Sequence, residues 1–189
     1  MINVNKLKIN NQSLIIYLTA AIIVVLDQVS KYIIKNTMQL YESFDVLGSF
    51  FKITYIENAG MAFGVQMGSR PVFVALSIIA AIIVFVYLFR MPNEQFLFRF
   101  SLALIMGGAI GNLIDRIAVG RVVDFLDVEF FDISLPAFQF LFVDFPGYSL
   151  TRWPVFNVAD SAVTCGMILI IWYILFQKTP EKQEVSATS

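Results

Sequence analysis

Three sets of polar residues interrupt otherwise apolar stretches of this 189-residue chain. They are Asp27 and Lys31, then Asn112, Asp115 and Arg116, then Asn157 and Asp160. Within each set the later members stand three or four positions after the first, so in a helix they lie on the same face as it. Charged side chains at the centre of a bilayer cost roughly 2.5–3.5 kcal/mol each, so a functional role is the default hypothesis for them.

The residue types that are missing limit the chemistry. The chain has no histidine and one cysteine, which excludes a Ser-His-Asp triad, a Cys-His pair, a His-ligated metal site and an intramolecular disulfide. Hydrolysis would then need carboxylates, a Ser-Lys pair or an oxygen-ligated cation. Ser30 and Lys31 are adjacent and point to different helix faces, which disfavours the Ser-Lys pair. Two neighbouring carboxylates would suffice without a metal or cofactor, because one keeps a proton while the other activates water.

The composition predicts an integral membrane protein. Hydrophobic residues make up 58% of the chain and charged residues 14%, whereas a soluble domain usually carries about 25% charged residues. A core of this size could not bury so much apolar surface. The net charge of -1 offers no basic face for nucleic acid.

Four apolar stretches have the length of about 20 residues that a helix needs to cross a bilayer. They cover about residues 14–34, 71–89, 96–117 and 156–176. Lysine and arginine are denser in the two tails and the short 90–99 connection than in the two longer connections, which places both termini in the cytoplasm. The three polar sets then lie near the outer ends of their helices, where we expect them to converge.

The two long connections carry strand patterns. Residues 44–54 (FDVLGSFFKIT) surround a central glycine with β-branched and aromatic residues, which predicts two short strands, and residues 122–131 mix apolar and acidic residues. We therefore predict a membrane α-helical fold of four transmembrane helices with a small β-sheet in the extracytoplasmic loops. A single domain would cover residues 1–178, and residues 179–189 would form a disordered cytoplasmic tail.

Each polar set also has a purely structural interpretation. The first set and the adjacent Asp115 and Arg116 could be ion pairs that close a helix bundle, and the third set could cap the fourth helix. Gly107 and Gly111 indicate close helix packing. An arrangement of all three sets at one depth weakens the structural interpretations together.

Five motifs, taken in order, resemble those of the bacterial lipoprotein signal peptidases (signal peptidase II). They are DQVSK at 27–31, NAGMAF at 58–63, GNLIDR at 111–116, VVDF at 122–125 and FNVAD at 156–160. The resemblance implies an intramembrane aspartic endopeptidase of the bacterial cytoplasmic (inner) membrane. Such an enzyme removes the signal peptide from diacylglyceryl-modified prolipoproteins by cleaving just before the lipidated cysteine.

By that resemblance, Asp124 and Asp160 match the catalytic pair. The positions that shape or support the family's site are matched by Asp27, Lys31, Asn58, Gly60, Asn112, Arg116 and Asn157, and we add Asp115 because it shares a helix face with Asn112. The pair titrates as a unit, so neither aspartate is assigned as the acid or the base. The expected partners are prolipoprotein, membrane lipid and globomycin-type inhibitors, and we expect a monomer.

Two other functions are compatible with intramembrane charges. A small ion or proton transporter would use such residues as a path, although here they gather at one end of the spans. A structural subunit of a membrane complex would not need the second aspartate.

The sequence departs from the family pattern in one segment. The two aspartates are 36 positions apart, and the family spacing is commonly shorter. The extra length lies around residues 130–153 (FFDISLPAFQFLFVDFPGYSLTRW), which are unusually aromatic for an exposed loop. We hypothesise that this segment lies on the outer leaflet and edges the substrate cleft. The alternative is an insertion without a role in the activity.

Overall fold

The computed structural model describes residues 11–59, 61–62, 65–66, 70–90, 95–140, 143–145 and 147–176. The helices in these ranges are α1 (Asn11–Thr37), α2 (Arg70–Arg90), α3 (Phe96–Ala118) and α4 (Val158–Phe176). The strands are β1 (Ser43–Leu47), β2 (Phe51–Asn58), β3 (Met61–Ala62), β4 (Val65–Gln66), β5 (Val122–Leu135), β6 (Phe138–Phe140), β7 (Val143–Phe145) and β8 (Tyr148–Arg152). The predicted tail, residues 179–189, lies outside the described residues.

Three of the helices, α1, α3 and α4, are long and apolar enough to cross a membrane. Within α2, the part whose side chains are described includes an apolar segment at Ser77–Leu88, which by itself is shorter than this length. Large apolar side chains such as Ile22, Ile79 and Ile171 are more than half exposed, an arrangement that lipid accommodates and water does not. A multi-pass membrane protein is therefore supported, whereas the predicted fourth crossing is not confirmed and stays a prediction.

Helix α3 lies at the centre of the bundle and packs against the other three helices. Glycines allow the close approach. A Cβ atom on Gly107 would lie 2.8 Å from the Cβ of Ile23 on α1, and one on Gly108 would clash with the backbone carbonyl of Ala159 on α4. The close packing predicted from the small residues of this helix is confirmed.

A four-stranded antiparallel sheet, in the order β1-β2-β5-β8, covers one end of the bundle. The two strands predicted within residues 44–54 are present, and the turn between them contains Gly48 with a φ of 54°, a conformation that favours glycine. The strand predicted at 122–131 is also present and continues to Leu135. Two short hairpins, β3-β4 and β6-β7, form separate two-stranded sheets.

A buried apolar cluster joins the sheet to the bundle. Ile34 and Met38, at the end of α1, pack with Tyr55 of β2 and with Val123 and Phe125 of β5. Burial of such side chains contributes roughly 1.5–3 kcal/mol each. This cluster fixes β5 over the end of α1 that carries Asp27 and Lys31.

The fourth helix begins later than the sequence predicted. Phe156 is not helical, because its backbone pairs with Leu126 of β5 through N–H···O bonds of 2.7 and 3.0 Å. The helix starts at Val158, and Asn157 caps it by accepting a hydrogen bond from the backbone N–H of Asp160 at 2.9 Å. In return, the backbone N–H of Asn157 donates a weaker hydrogen bond to Asp160 Oδ2 at 3.3 Å. The capping interpretation of this set is therefore correct, in the form of a reciprocal capping box.

Candidate active site

The junction of β5 and α4 brings the two candidate aspartates together. Asp124 lies on β5, two residues before the point where Leu126 pairs with Phe156, and Asp160 lies in the first turn of α4. Asn157 stands between them: its Nδ2 donates to Asp124 Oδ1 at 2.7 Å, and its Oδ1 accepts from the backbone N–H of Asp160. The β-bridge therefore sets the relative position of the two carboxylates.

Each carboxylate receives hydrogen bonds on both of its oxygens. Asn58 Nδ2 donates to Asp124 Oδ2 at 3.2 Å, opposite the bond from Asn157. Asn112 Nδ2 donates to Asp160 Oδ1 at 2.7 Å, and the backbone N–H of Asn157 contacts Oδ2. Side-chain amides donate hydrogen bonds without exchanging a proton. Proton transfer in this site is thus left to the two carboxyl groups.

The environment of Asp124 favours its protonated form. The residue is 3% exposed. Burial, followed by the negative charge of Asp160, raises the pKa of Asp124 to about 7, against the opposing effect of the bonds from Asn58 and Asn157. Two carboxyl groups that repel each other in this way can hold one proton between them near neutral pH.

Lys31 organises the helices behind the pair. Its ammonium lies 2.7 Å from Asp27 Oδ2, 2.9 Å from Asp115 Oδ2 and 2.9 Å from Asn112 Oδ1, so all three of its protons have acceptors. The ion pair predicted from Asp27 and Lys31 is present, and Asp115 pairs across to α1. Because Lys31 occupies the oxygen of Asn112, the nitrogen of that amide faces Asp160.

Asp27 connects the same group to α4. Its Oδ1 accepts a hydrogen bond from the backbone N–H of Ala159 at 3.0 Å, and the residue is fully buried. Gly111 leaves the room for this carboxylate, since a Cβ atom there would lie 2.5 Å from Asp27 Oδ2. Gln28 adds hydrogen bonds of 3.1 Å to Asp27 and to Asp115. Three helices are thus held at the level of the candidate pair.

Two cavities meet at Asp160 and Thr164. The first has a volume of about 430 Å³ and is lined by Val128, Trp153, Phe156, Asp160, Ser161, Thr164 and Cys165. The second has a volume of about 290 Å³ and is lined by Ser77, Ala80, Ala109, Asn112, Arg116, Asp160, Val163 and Thr164. One carboxylate of the candidate pair is therefore reachable from both sides of α4.

The structure brings most of the predicted site residues into one network: Asp27, Lys31, Asn58, Asn112, Asp115, Asp124, Asn157 and Asp160. Arg116 lines the second cavity, and Gly60 lies outside the described residues. Gln28 was missed, and Trp153 was included only as the last residue of the segment hypothesised to edge the substrate cleft. Gln28 is a polar residue inside a span and adjoins Asp27, a signal that was available in the sequence. Within the ranges given above, no group of three or more Cys, Asp or Glu has an arrangement that could hold a metal ion.

Comparison with known proteins finds similar sequences and similar folds. The family model described as signal peptidase (SPase) II matches residues 19–176. The chain is 39% identical over 167 residues to the lipoprotein signal peptidase of Moorella thermoacetica, covering 88% of this chain and 97% of that one. It is also 39% identical over 168 residues to the lipoprotein signal peptidase of Staphylococcus aureus strain JH9, covering 88% and 91% of the two chains.

A solved bacterial membrane enzyme has the same fold, with a TM-score of 0.71 at 34% identity, covering 90% of this chain and 93% of that one. A second gives a TM-score of 0.68, also at 34% identity, and covers 87% and 94%. The match in sequence and in fold extends over nearly the whole length of both partners. The chain belongs to the signal peptidase II family of proteases.

Proposed function

We propose that this protein is an intramembrane aspartic endopeptidase that removes the signal peptide from diacylglyceryl-modified prolipoproteins, cleaving just before the lipidated cysteine. The observation that carries the proposal is the arrangement of Asp124 and Asp160 on the two sides of Asn157, in a chain of this family. The relatives named above are lipoprotein signal peptidases, which supports this class of substrate.

Two carboxyl groups that share one proton provide both a general base and a general acid for peptide hydrolysis. The ionised carboxylate takes a proton from water as the water oxygen bonds to the scissile carbonyl carbon, while the protonated group donates to the carbonyl oxygen. As the tetrahedral intermediate collapses and the C–N bond breaks, the carboxyl that took the water proton donates it to the leaving amine, and the other carboxylate takes back the proton from the former carbonyl oxygen. The asparagine amides hold both carboxyl groups in place during these transfers.

The second cavity supplies donors for the peptide. Asn112 and Arg116 line it beside Asp160, and an extended substrate has backbone carbonyls that need such partners inside a membrane. The bound peptide would then present its scissile bond to the pair. A globomycin-type inhibitor would compete for the same space.

The proposed location follows from charge and from the position of the network. With both termini in the cytoplasm, the sheet and the aspartates lie at the outer leaflet of the inner membrane. The diacylglyceryl group anchors its cysteine in that leaflet, at the depth of the pair. All the groups assigned to the reaction come from one chain, which is compatible with a monomer.

Cleavage of a lipid-modified prolipoprotein by the detergent-solubilised enzyme, followed as a gel shift, tests the proposal. Asp124→Asn and Asp160→Asn should each lower the rate by about a thousandfold or more, because neither asparagine can exchange a proton. Asp45→Asn is the matched control, since that carboxylate is 63% exposed and pairs only with Lys52 among the groups described here. Substantial turnover by Asp124→Asn or Asp160→Asn, with thermal unfolding unchanged, would rule out the two-aspartate mechanism.

A small ion or proton transporter is the second candidate, favoured by the buried ion pairs of Lys31 with Asp27 and Asp115. A transporter would move protons or ions across sealed vesicles that contain the purified protein, whereas the peptidase would leave such gradients intact. A pH-sensitive dye inside the vesicles distinguishes the two.

A further inference from the structure

A row of polar side chains crosses the four-stranded sheet and takes no part in the network around Asp160. Ser43 on β1 and Thr54 on β2 share a hydrogen bond of 2.8 Å. Thr54 donates to Asp127 Oδ2 on β5 at 2.7 Å, and Arg152 Nε on β8 donates to Asp127 Oδ1 at 2.7 Å. Asp127 is 7% exposed. A charge buried to this extent depends on its partner, so the pair with Arg152 is more than a surface contact.

Arg152 uses the rest of its guanidinium to join other parts of the sheet. Nη1 donates to the carbonyl of Ser49, in the turn between β1 and β2, at 2.8 Å, and Nη2 donates to the carbonyl of Asp127 at 3.3 Å. Lysine could not make this set of directed bonds, because it lacks the planar fork. One side chain therefore fixes the end of β8 to β5 and to the turn between β1 and β2.

The residue that follows Arg152 reaches the site. The backbone N–H of Trp153 donates to the carbonyl of Val128 at 2.9 Å, and its side chain lines the first cavity together with Phe156 and Asp160. The residue is 42% exposed. Its indole thus forms one wall of the cavity, and its backbone is bonded to β5 at Val128.

The two cavities offer different surroundings to a substrate. The second presents the amide of Asn112 and the guanidinium of Arg116, which suit a peptide backbone. The first is walled by Val128, Trp153 and Phe156, which suit a group with no hydrogen bonds to satisfy. In a lipid-modified prolipoprotein, the group of that kind next to the scissile bond is the diacylglyceryl hydrocarbon.

Building on the proposed function, we propose that Trp153 is a specificity-determining residue whose indole walls the space for the diacylglyceryl hydrocarbon of the substrate. We assign the pair of Arg152 and Asp127 as the positioning device that keeps this wall in place. The aromatic segment then contributes to the site through its last residue.

Quenching of Trp153 fluorescence tests directly which part of the substrate occupies the first cavity. The chain has two tryptophans, so Trp172→Phe leaves Trp153 as the only one, and Asp124→Asn prevents cleavage during the measurement. Two lipopeptides are compared, one with bromine atoms on the acyl chains and one with a bromophenylalanine in the signal peptide. Quenching by the brominated acyl chains above that by the bromophenylalanine is expected. Equal quenching, stronger quenching by the peptide label, or no quenching by either would overturn the proposal.

Kinetics test the specificity role. Trp153→Ala should raise KM for the dipalmitoyl substrate by about tenfold and change kcat by about twofold or less, as expected for lost apolar contact. Trp153→Phe should restore most of the affinity. A fall in kcat at unchanged KM, or an effect that depends on signal-peptide side chains and not on the lipid, would contradict the role.

The positioning role of Arg152 has its own readout. Arg152→Gln and Asp127→Asn should each raise KM and weaken quenching by the brominated acyl chains, and the double variant should be no worse than either single one. Asp45→Asn removes a more exposed ion pair of the same sheet and should change neither quantity. Arg152→Lys, which can keep one bond to Asp127, replaces Arg152→Gln if the latter does not fold. Additive effects, or unchanged quenching, would overturn the assignment.

Cleavage by the unaltered enzyme separates the two proposals. If the unaltered chain does not cleave the dipalmitoyl lipopeptide, the proposed function fails. If it cleaves while the Trp153 measurements come out negative, only the inference about this residue fails.

Discussion

The side-chain amide of Asn157 joins the two aspartates of the candidate pair. Its nitrogen lies 2.7 Å from Asp124 Oδ1, and its oxygen accepts the backbone N–H of Asp160 at 2.9 Å. The nitrogen also donates to Asn112 Oδ1 at 3.1 Å, and Asn157 is fully buried. Asn157 thus caps α4 and also fixes the carboxylate of Asp124, on β5, relative to the start of α4.

We expect Asn157→Ala to lower kcat about a hundredfold with little change in KM, because the loss of one preorganised donor typically costs about 10²–10³ in rate. Cleavage of a lipid-modified prolipoprotein at several substrate concentrations gives both constants. Asn36→Ala is the matched control, since Asn36 is exposed and its amide bonds the carbonyl of Tyr32 within α1. A change in KM alone would show that Asn157 contacts substrate and does not position Asp124.

Lys31→Met should destabilise the protein by about 3–5 kcal/mol, because it leaves the buried carboxylates of Asp27 and Asp115 without their cation. Lys52→Met removes a more exposed lysine paired with Asp45 and should cost about 1 kcal/mol or less. Thermal unfolding of both variants in the same detergent provides the comparison. Equal shifts would mean that Lys31 is not the centre of the helix contacts.

Gly111→Ala should impair both folding and catalysis. Its new Cβ would lie 2.5 Å from Asp27 Oδ2, and insertion of a methyl group into a packed core costs about 1–3 kcal/mol. Gly107→Ala is the companion variant, because its Cβ would meet Ile23 and the carbonyl of Ala20 and not a carboxylate. We expect both to unfold at lower temperature, but only Gly111→Ala to lose kcat per folded molecule. Equal kcat losses would refute the link between Gly111 and the site.

The cleavage rate should fall as the pH rises above about 7. Burial and the charge of Asp160 raise the pKa of Asp124 to about 7, so the pair loses its remaining proton on the alkaline side. Asn58 donates to the ionised form and lowers this pKa. Asn58→Ala should therefore raise the pKa of Asp124 and shift the alkaline limb of the kcat/KM profile to higher pH, by about half a pH unit to one pH unit. A shift of this limb to lower pH would contradict its assignment to Asp124.

The sequence predicted the helices, the strands at 44–54 and 122–131, and the convergence of the three polar sets. These features depend on local pattern: helix length and apolar content, strand alternation, and spacing along one face. The start of α4 was placed too early, because apolar content does not show that Phe156 pairs with Leu126. That pairing depends on a contact between residues 30 positions apart, which a local pattern does not contain.

The same limit applies to the site. The i, i+4 spacing was enough to predict the pair of Asp27 and Lys31, whereas the partner of Asp115 on α1 required the packing of α1 against α3. Trp153 was counted only within an aromatic segment. Its place beside Asp160 follows from the register of β5 with the chain before α4, which composition does not determine.

Leu126 and Phe156 pair through their backbones, and the aromatic segment lies between them in the sequence. The chain leaves the candidate pair at Leu126 and returns to it at Phe156, so this bridge holds Asp124 and Asp160 near each other whatever the number of residues between these points. Over evolutionary time, insertions and deletions within this excursion can accumulate without moving the carboxylates. Its length and composition can then differ among relatives with the substrates they meet, while the two carboxylates keep their separation.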